Sequence, residues 1–284
     1  MTVEDAYAIC RHTTRQAARN FYFAFVLLSE PRRSAIYALY AFARRADDTV
    51  DDAPDPGAAR RGLQERRAEI DAIYAGRTGE DPVLIALGDA VRYFSIPRRH
   101  LHDLLDGMEM DITTTRYATY ADLELYCDRV AAAPGLASLH IFGYSDEGAP
   151  RLARELGVAM QLVNVLRDVA EDAARGRVYI PVAALHAQGA TEDDVLQGRL
   201  TDGVRRVFEA HTEIARQAFA TAWPLGDLLD RRARSCVSML SSTYRAILDR
   251  IEDEGFDVFR ERARLSTPRK LGLMTGAALA GWKP

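Results

Sequence analysis

The chain has 284 residues, 48% of them hydrophobic and 27% charged, with 19 Gly and 11 Pro. That balance excludes disordered, collagen-like and stapled-miniprotein classes and suits a globular protein with a substantial core. Its 37 Lys+Arg against 41 Asp+Glu leave a formal charge of −4, too even for a protein that neutralises nucleic-acid phosphates, so no nucleic-acid partner is expected.

Glu4, Asp5 and Arg11 punctuate the start of the chain, and no apolar run reaches the roughly 18 residues that would span a membrane. A cytoplasmic protein is expected. From there apolar residues recur at spacings of three and four, which predicts helices over 3–18, 31–53, 58–76, 81–94, 97–112, 119–143, 147–173, 202–222, 226–254 and 267–280. Alternating β-branched runs are missing, so the expected fold class is all-α, a single domain over 1–284 with no linker or repeat to divide it. Pro31, Pro82, Pro97, Pro150 and Pro224 fall between periodic stretches, where proline opens a helix without losing an internal hydrogen bond. The stretch from Gly176 to about Asp202 reads as irregular, with a short helix at 191–197. Cys10, Cys127 and Cys236 are far apart and lack zinc-ligand spacing, which predicts reduced core thiols.

Two acidic clusters carry the chemical signal. On a helical wheel through Ile36 to Asp52, Asp47 and Asp51 fall beside the stripe of Leu39, Ala43 and Val50, with Tyr40 and Arg44 close by, while Asp48 and Asp52 fall farther out. A carboxylate pair on an apolar face needs a cation, water or a cavity, because burying unpaired charge is costly. A solvated last turn is the other reading, although acidic residues there oppose the helix dipole. In the second cluster Gln161, Asn164, Asp168 and Asp172 form one polar stripe opposite Leu152, Leu156, Val163 and Leu166. A water-facing helix side accounts for such a stripe, but its flanks are Leu162, Val165 and Val169 and its oxygen donors suit a hard divalent cation such as Mg2+.

The ordered set of motifs resembles the squalene/phytoene synthase family, the head-to-head trans-isoprenyl diphosphate synthases. It runs through Asn20-Phe-Tyr-Phe-Ala-Phe25, Tyr37 to Asp51, Gly107-Met-Glu-Met-Asp111, Tyr126-Cys-Asp-Arg-Val-Ala131, Gln161 to Asp172 and Gly176-Arg-Val-Tyr-Ile-Pro181. The resemblance implies a helical bundle of isoprenoid synthase type with a central cavity, binding two prenyl diphosphates as substrates. It implies Mg2+, with Mn2+ able to replace it, held by Asp47, Asp51, Asn164, Asp168 and Asp172 with Gln161 on the same bank. Arg44, Arg167, Arg177 and Arg262 match positions that steady diphosphate charge, and Tyr40, Tyr126, Tyr179 and Tyr244 match cavity tyrosines, with Tyr126 and Arg44 among the catalytic groups. Phe21, Phe25, Tyr40 and Phe42 are candidates to shelter an allylic cation from water.

The expected reaction is condensation of two farnesyl diphosphates to presqualene diphosphate, because Phe25 stands where the family tends to carry a bulky aromatic for C15 chains. The alternative is phytoene synthesis from two geranylgeranyl diphosphates; a non-catalytic assembly subunit of the same fold would be expected to have shed its unpaired carboxylates. Onward conversion, NADPH use and monomer or homodimer state stay open, and peripheral contact with the inner membrane face would serve release of a lipid product. Two departures stand out. Ala18 and Asn20 replace the family's usual serines, and Val130-Ala-Ala-Ala-Pro-Gly135 replaces a glycine-rich run, where Pro134 is expected to break or kink the helix.

Overall fold

A computed structural model describes residues 1–17 and 19–280, with the side chains of Arg19, Asn20 and Ala280 excepted; Ala18 and the Asn20 side chain, the first departure read from the sequence, lie outside what is described. Helices carry the fold, and no strand occurs among the described residues beyond one isolated parallel bridge between Arg116 and Val178. In chain order they are α1 (Val3–Ala17), α2 (Arg19–Phe25), α3 (Arg32–Asp51), α4 (Pro56–Tyr74), α5 (Pro82–Phe94), α6 (Arg98–Thr113), α7 (Tyr120–Cys127), α8 (Ala133–Phe142), α9 (Ala149–Arg167), α10 (Val169–Ala174), α11 (Val182–Ala187), α12 (Glu192–Leu196), α13 (Asp202–Ala222), α14 (Arg231–Asp253) and α15 (Thr267–Ala280).

The expected punctuation has a local cause. Asp55 and Asp81 cap α4 and α5, accepting bonds from backbone N–H groups of the first turn, and Pro56 and Pro82 open those helices. A side-chain cap of this kind is worth about 1 kcal/mol. Thr119 and Asp122 close a reciprocal capping box at the start of α7. One continuous core joins these helices, and the three cysteines lie free and buried in it.

Four departures from the expected elements matter for the site. Helix α2 forms in an aromatic run whose periodicity is too short to separate helix from strand. The predicted helix 147–173 bends at Asp168, whose φ of −101° and ψ of 7° lie off the helical values, dividing α9 from α10. Backbone bonding survives the bend: Asp168 N–H donates to Asn164 O and Asp172 N–H to Asp168 O, each at 2.9 Å. Pro134 does not break its helix; a π-helical turn over Asp128–Ala132 precedes it, and the chain runs on into α8 with Pro134 in the first turn. The wider turn removes the demand for an ordinary i to i−4 bond where proline has no N–H. In the stretch expected to be irregular, α11 was not foreseen, whereas α12 falls within 191–197.

Glycines hold the π-turn between two helices. A Cβ on Gly107 of α6 would lie 2.6 Å from Val130 Cγ1, and one on Gly157 of α9 would lie 2.7 Å from Ala132 Cα. Both helices therefore approach the turn more closely than any side chain would permit, and the turn begins two residues after Tyr126. No helix among the described residues is long and apolar enough to cross a membrane.

Candidate active site

Helix α3 ends in the first acidic cluster. Arg44 donates to Asp47 at 2.9 Å and also pairs with Asp48. Side-chain exposure alone does not separate Asp47 (39%) from Asp48 (40%); their surroundings do. Burial pushes the Asp47 carboxyl up to about 6, reinforced by Asp51, Asp48 and Asp111 against the opposing Arg44. Asp52 is exposed at the helix end. Asp51 is exposed as a residue like Asp52, although its side chain keeps only 22% exposure beside Arg175 and Arg177, so the expected division into an inward and an outward pair is only partly seen.

The second cluster lies across from it. Gln161, Asn164, Asp168 and Asp172 are half-buried between buried Leu162, Val165 and Val169, so the stripe does not simply face water. Asn164 donates to Gln161 Oε1 at 2.9 Å, and its own Oδ1 is buried without a hydrogen-bond partner. Arg167 grips Asp168 with two bonds at 2.7 and 2.6 Å, and Arg262 reaches the same carboxylate at 2.7 Å. Burial works against ionisation of Asp168, but these two guanidiniums outweigh it and hold its carboxyl below the usual range. Asp172 has no such grip: burial, then Asp168 and Asp111, push it up to about 7.

The banks meet at identifiable contacts. Arg175 and Arg177, just after α10, lie 3.0 and 3.7 Å from Asp51 at the end of α3. The charge of Asp111, from α6, adds to the rise of both Asp47 and Asp172. It accepts bonds from Tyr179 at 2.6 Å and Tyr126 at 3.2 Å. Tyr117 stacks on Tyr179 with ring centroids 5.5 Å apart. The sequence alone assigns no role to Asp111, Tyr117 or Arg175. The first was detectable, because Leu101, Leu104, Leu105, Met108 and Asp111 share one helical stripe, an acid on a core face.

Aromatic rings adjoin the acidic floor. Phe21 lies 5.8 Å from Phe25, 5.7 Å from Tyr40 and 6.2 Å from Tyr244, ring centre to ring centre, and Tyr244 is buried. Phe25 is buried and touches Tyr37 and Tyr40 as well. Phe42 is a correction to the sequence reading: it is fully buried in the core with Arg45 5.9 Å over its ring, and Arg45 in turn pairs with Glu69 and Asp81. Two residues from Tyr40 on a helix points a side chain away from it, so Phe42 belongs to a structural contact.

Carboxylates at the end of α3 and along α9 and α10, paired with arginines and adjoined by aromatic rings, set charged groups beside an apolar wall. The family pattern for squalene/phytoene synthase matches residues 14–269. Over 283 residues the chain is 36% identical to a 15-cis-phytoene synthase of Synechocystis sp., covering 95% of this chain and 83% of that one. The crystal structure of a squalene synthase from Alicyclobacillus acidocaldarius is similar with a TM-score of 0.83 at 30% identity, covering 89% of this chain and 95% of that one. A dehydrosqualene synthase solved with a ligand gives a TM-score of 0.90 at 26% identity, covering 97% and 96%. The chain belongs to the squalene/phytoene synthase family, and it is an all-helical prenyltransferase of that family with the isoprenoid synthase fold.

Proposed function

We propose that the protein joins two geranylgeranyl diphosphates head to head, with Mg2+, through a cyclopropyl diphosphate to a C40 product of the phytoene type. The observation that carries the reaction class is the meeting of the two carboxylate banks across Asp51, Arg177 and Asp111. The C20 chain length rests on the identity to phytoene synthases over nearly the whole chain, and it replaces the C15 preference expected from Phe25. One observation keeps C15 as a second reading: the Phe25 ring is buried among Phe21, Tyr37 and Tyr40, where it would occupy volume beside the cation-sheltering wall.

The donor set fits Mg2+. Asp47, Asp51, Asp168, Asp172 and the partnerless Asn164 Oδ1 are all hard oxygen donors. Mg2+ usually keeps several waters and shares its remaining positions between one or two carboxylates and substrate phosphates. When bound, Mg2+ would stabilise the negative charge that develops on the departing diphosphate. Arg44, Arg167, Arg177 and Arg262 stand next to those carboxylates and would turn part of their charge to the phosphate oxygens. Phe21, Tyr40 and Tyr244 would then exclude water from the allylic cation and present π-faces to it. The C2=C3 electrons of the second chain attack C1 of the first; loss of a proton from that C1 supplies the pair that closes the cyclopropane.

Competitive incubation with farnesyl and geranylgeranyl diphosphates and Mg2+, with and without NADPH, followed by lipid analysis tests this. C40 products in excess support it. A C30 excess overturns the chain length in favour of the second reading, and failure to couple either substrate overturns the reaction.

The raised carboxyls give a pH signature. Asp47 and Asp172, pushed up to about 6 and about 7, bind protons in the folded state that the unfolded chain releases near pH 4. The metal-free protein should therefore lose stability as pH rises from about 4 to 7, as both charges are forced into the site. Mg2+ must displace those protons, so it should raise the melting temperature more at pH 8 than at pH 5.5. Melting curves with and without Mg2+ check this; an equal rise at both values would remove these two carboxylates from the metal site.

A further inference from the structure

We propose that Asp111 is a positioning residue that fixes the Tyr126 and Tyr179 hydroxyls as hydrogen-bond acceptors facing the reacting carbocation. A phenol has one proton to donate and lone pairs to accept with, whereas a carboxylate only accepts. Tyr179 gives its proton to Asp111 Oδ1 at 2.6 Å; the Tyr126 hydroxyl lies 3.2 Å from Oδ2 and 3.4 Å from the Tyr179 oxygen, and its one proton goes to the nearer, charged acceptor. With both protons committed, the two phenol oxygens have only lone pairs left to offer, and donation to an anion enriches those oxygens further.

The scaffold around this trio sets its geometry. Gly107 lies one helical turn before Asp111 on α6 and lets that helix close onto Arg129 and Val130 of the π-turn, three and four residues beyond Tyr126. Ring contacts among Tyr117, Tyr126 and Tyr179, with centroids 4.9 to 5.5 Å apart, restrict the phenols to that orientation. Tyr179 also lines a small cavity together with Asp172 and Arg177, which ties the trio to the second acidic bank.

The consequence for chemistry rests on the condensation reading above. After the first C1–O bond breaks, with its electron pair leaving on the diphosphate, the cation at C1 has two fates. Capture by the C2=C3 bond of the second chain gives coupled product. Capture by water, with loss of a proton from that water, gives a prenyl alcohol. Two fixed acceptor oxygens stabilise the cation electrostatically without attacking it, which favours the first fate. A hydroxyl turned the other way would point a proton at positive charge.

Asp111→Asn keeps the shape but makes one side of the group a donor, so one phenol must reverse. We expect kcat to fall about 10²-fold with KM changed less than about threefold, and the share of turnovers ending in prenyl alcohol to rise, with partial recovery in Asp111→Glu. Tyr179→Phe should cost much less in the Asp111→Asn background than in the wild type, as coupled residues do. In the substrate-free protein the Tyr179 13Cζ resonance should move on Asp111→Asn, a readout independent of any reaction. Unmoved resonances, an unchanged alcohol share or additive effects would overturn the proposal. So would a loss of Mg2+ affinity in Asp111→Asn as large as that in Asp47→Asn, which would make Asp111 a metal ligand. Wild-type protein that couples no substrate defeats the function proposed above, while the resonance still tests the hydrogen bonds.

Discussion

Asp47→Asn should lower turnover by about 10³-fold while leaving the protein folded and no less stable without metal. The size follows from removing one preorganised charge at the point where diphosphate charge develops, a loss of about 10²–10³ for a single electrostatic group, with weakened Mg2+ binding added to it. The direction of the stability change follows from the environment. Asp47 is raised to about 6 by burial and then by Asp51, so its charge is a burden on the metal-free fold at neutral pH, and the neutral amide removes it. Asp52→Asn is the control within the same four-residue cluster. Asp52 is exposed at the helix end, where a negative charge opposes the dipole. Its replacement should change turnover less than about threefold, in line with ordinary surface substitutions. Steady-state rates and melting curves on both variants decide the matter. Normal turnover in Asp47→Asn, or an equal loss in Asp52→Asn, would defeat the assignment of Asp47 to the metal.

Much of this site could be read before any coordinates, and for a physical reason. A helix places residues four apart on one face, so Asp47 with Asp51, and Asn164 with Asp168, announce shared faces in the sequence alone. How two such faces are brought together is tertiary information. The Arg175 and Arg177 pairs to Asp51 connect segments more than a hundred residues apart, and nothing in local spacing specifies them. Composition alone groups Phe42 with the site rings, but the helical wheel separates it: a residue midway between Tyr40 and Arg44 points to the opposite side of α3, where Phe42 meets Arg45. The effect of Pro134 depends on the hydrogen bond its missing N–H would have made, and the π-turn that removes that demand is not visible in local sequence. Asp111 was visible as an acid within a core stripe, but its meaning depends on Tyr126 and Tyr179, which reach it from other parts of the chain.

Phe25→Ala should raise the C20/C15 ratio of kcat/KM by at least about tenfold. In the wild type the ring is 4% exposed and packed among Phe21, Tyr37 and Tyr40, and Tyr40 lies one and two helical turns before Arg44 and Asp47 on α3. Removing the ring opens volume on the apolar wall. One buried CH2 is worth about 0.8 kcal/mol, so the five carbons by which a C20 chain exceeds a C15 chain could supply several kcal/mol if the new space is well filled. Because about 1.4 kcal/mol is tenfold in rate, even partial filling is measurable. The opposing cost is stability: truncating a buried Phe to Ala typically costs about 3–5 kcal/mol, so Phe25→Leu serves as the milder variant and should move the ratio the same way by a smaller factor. The Mg2+ requirement should not change, since the carboxylate banks are untouched. The wild-type ratio separates the two chain-length readings. A value above one supports condensation of C20 substrates past Phe25, and a value below one makes the ring the limit on chain length. A ratio unmoved in both variants would show that Phe25 packs the aromatic cluster without meeting the prenyl tail, and chain length would then have to be set elsewhere along the cavity.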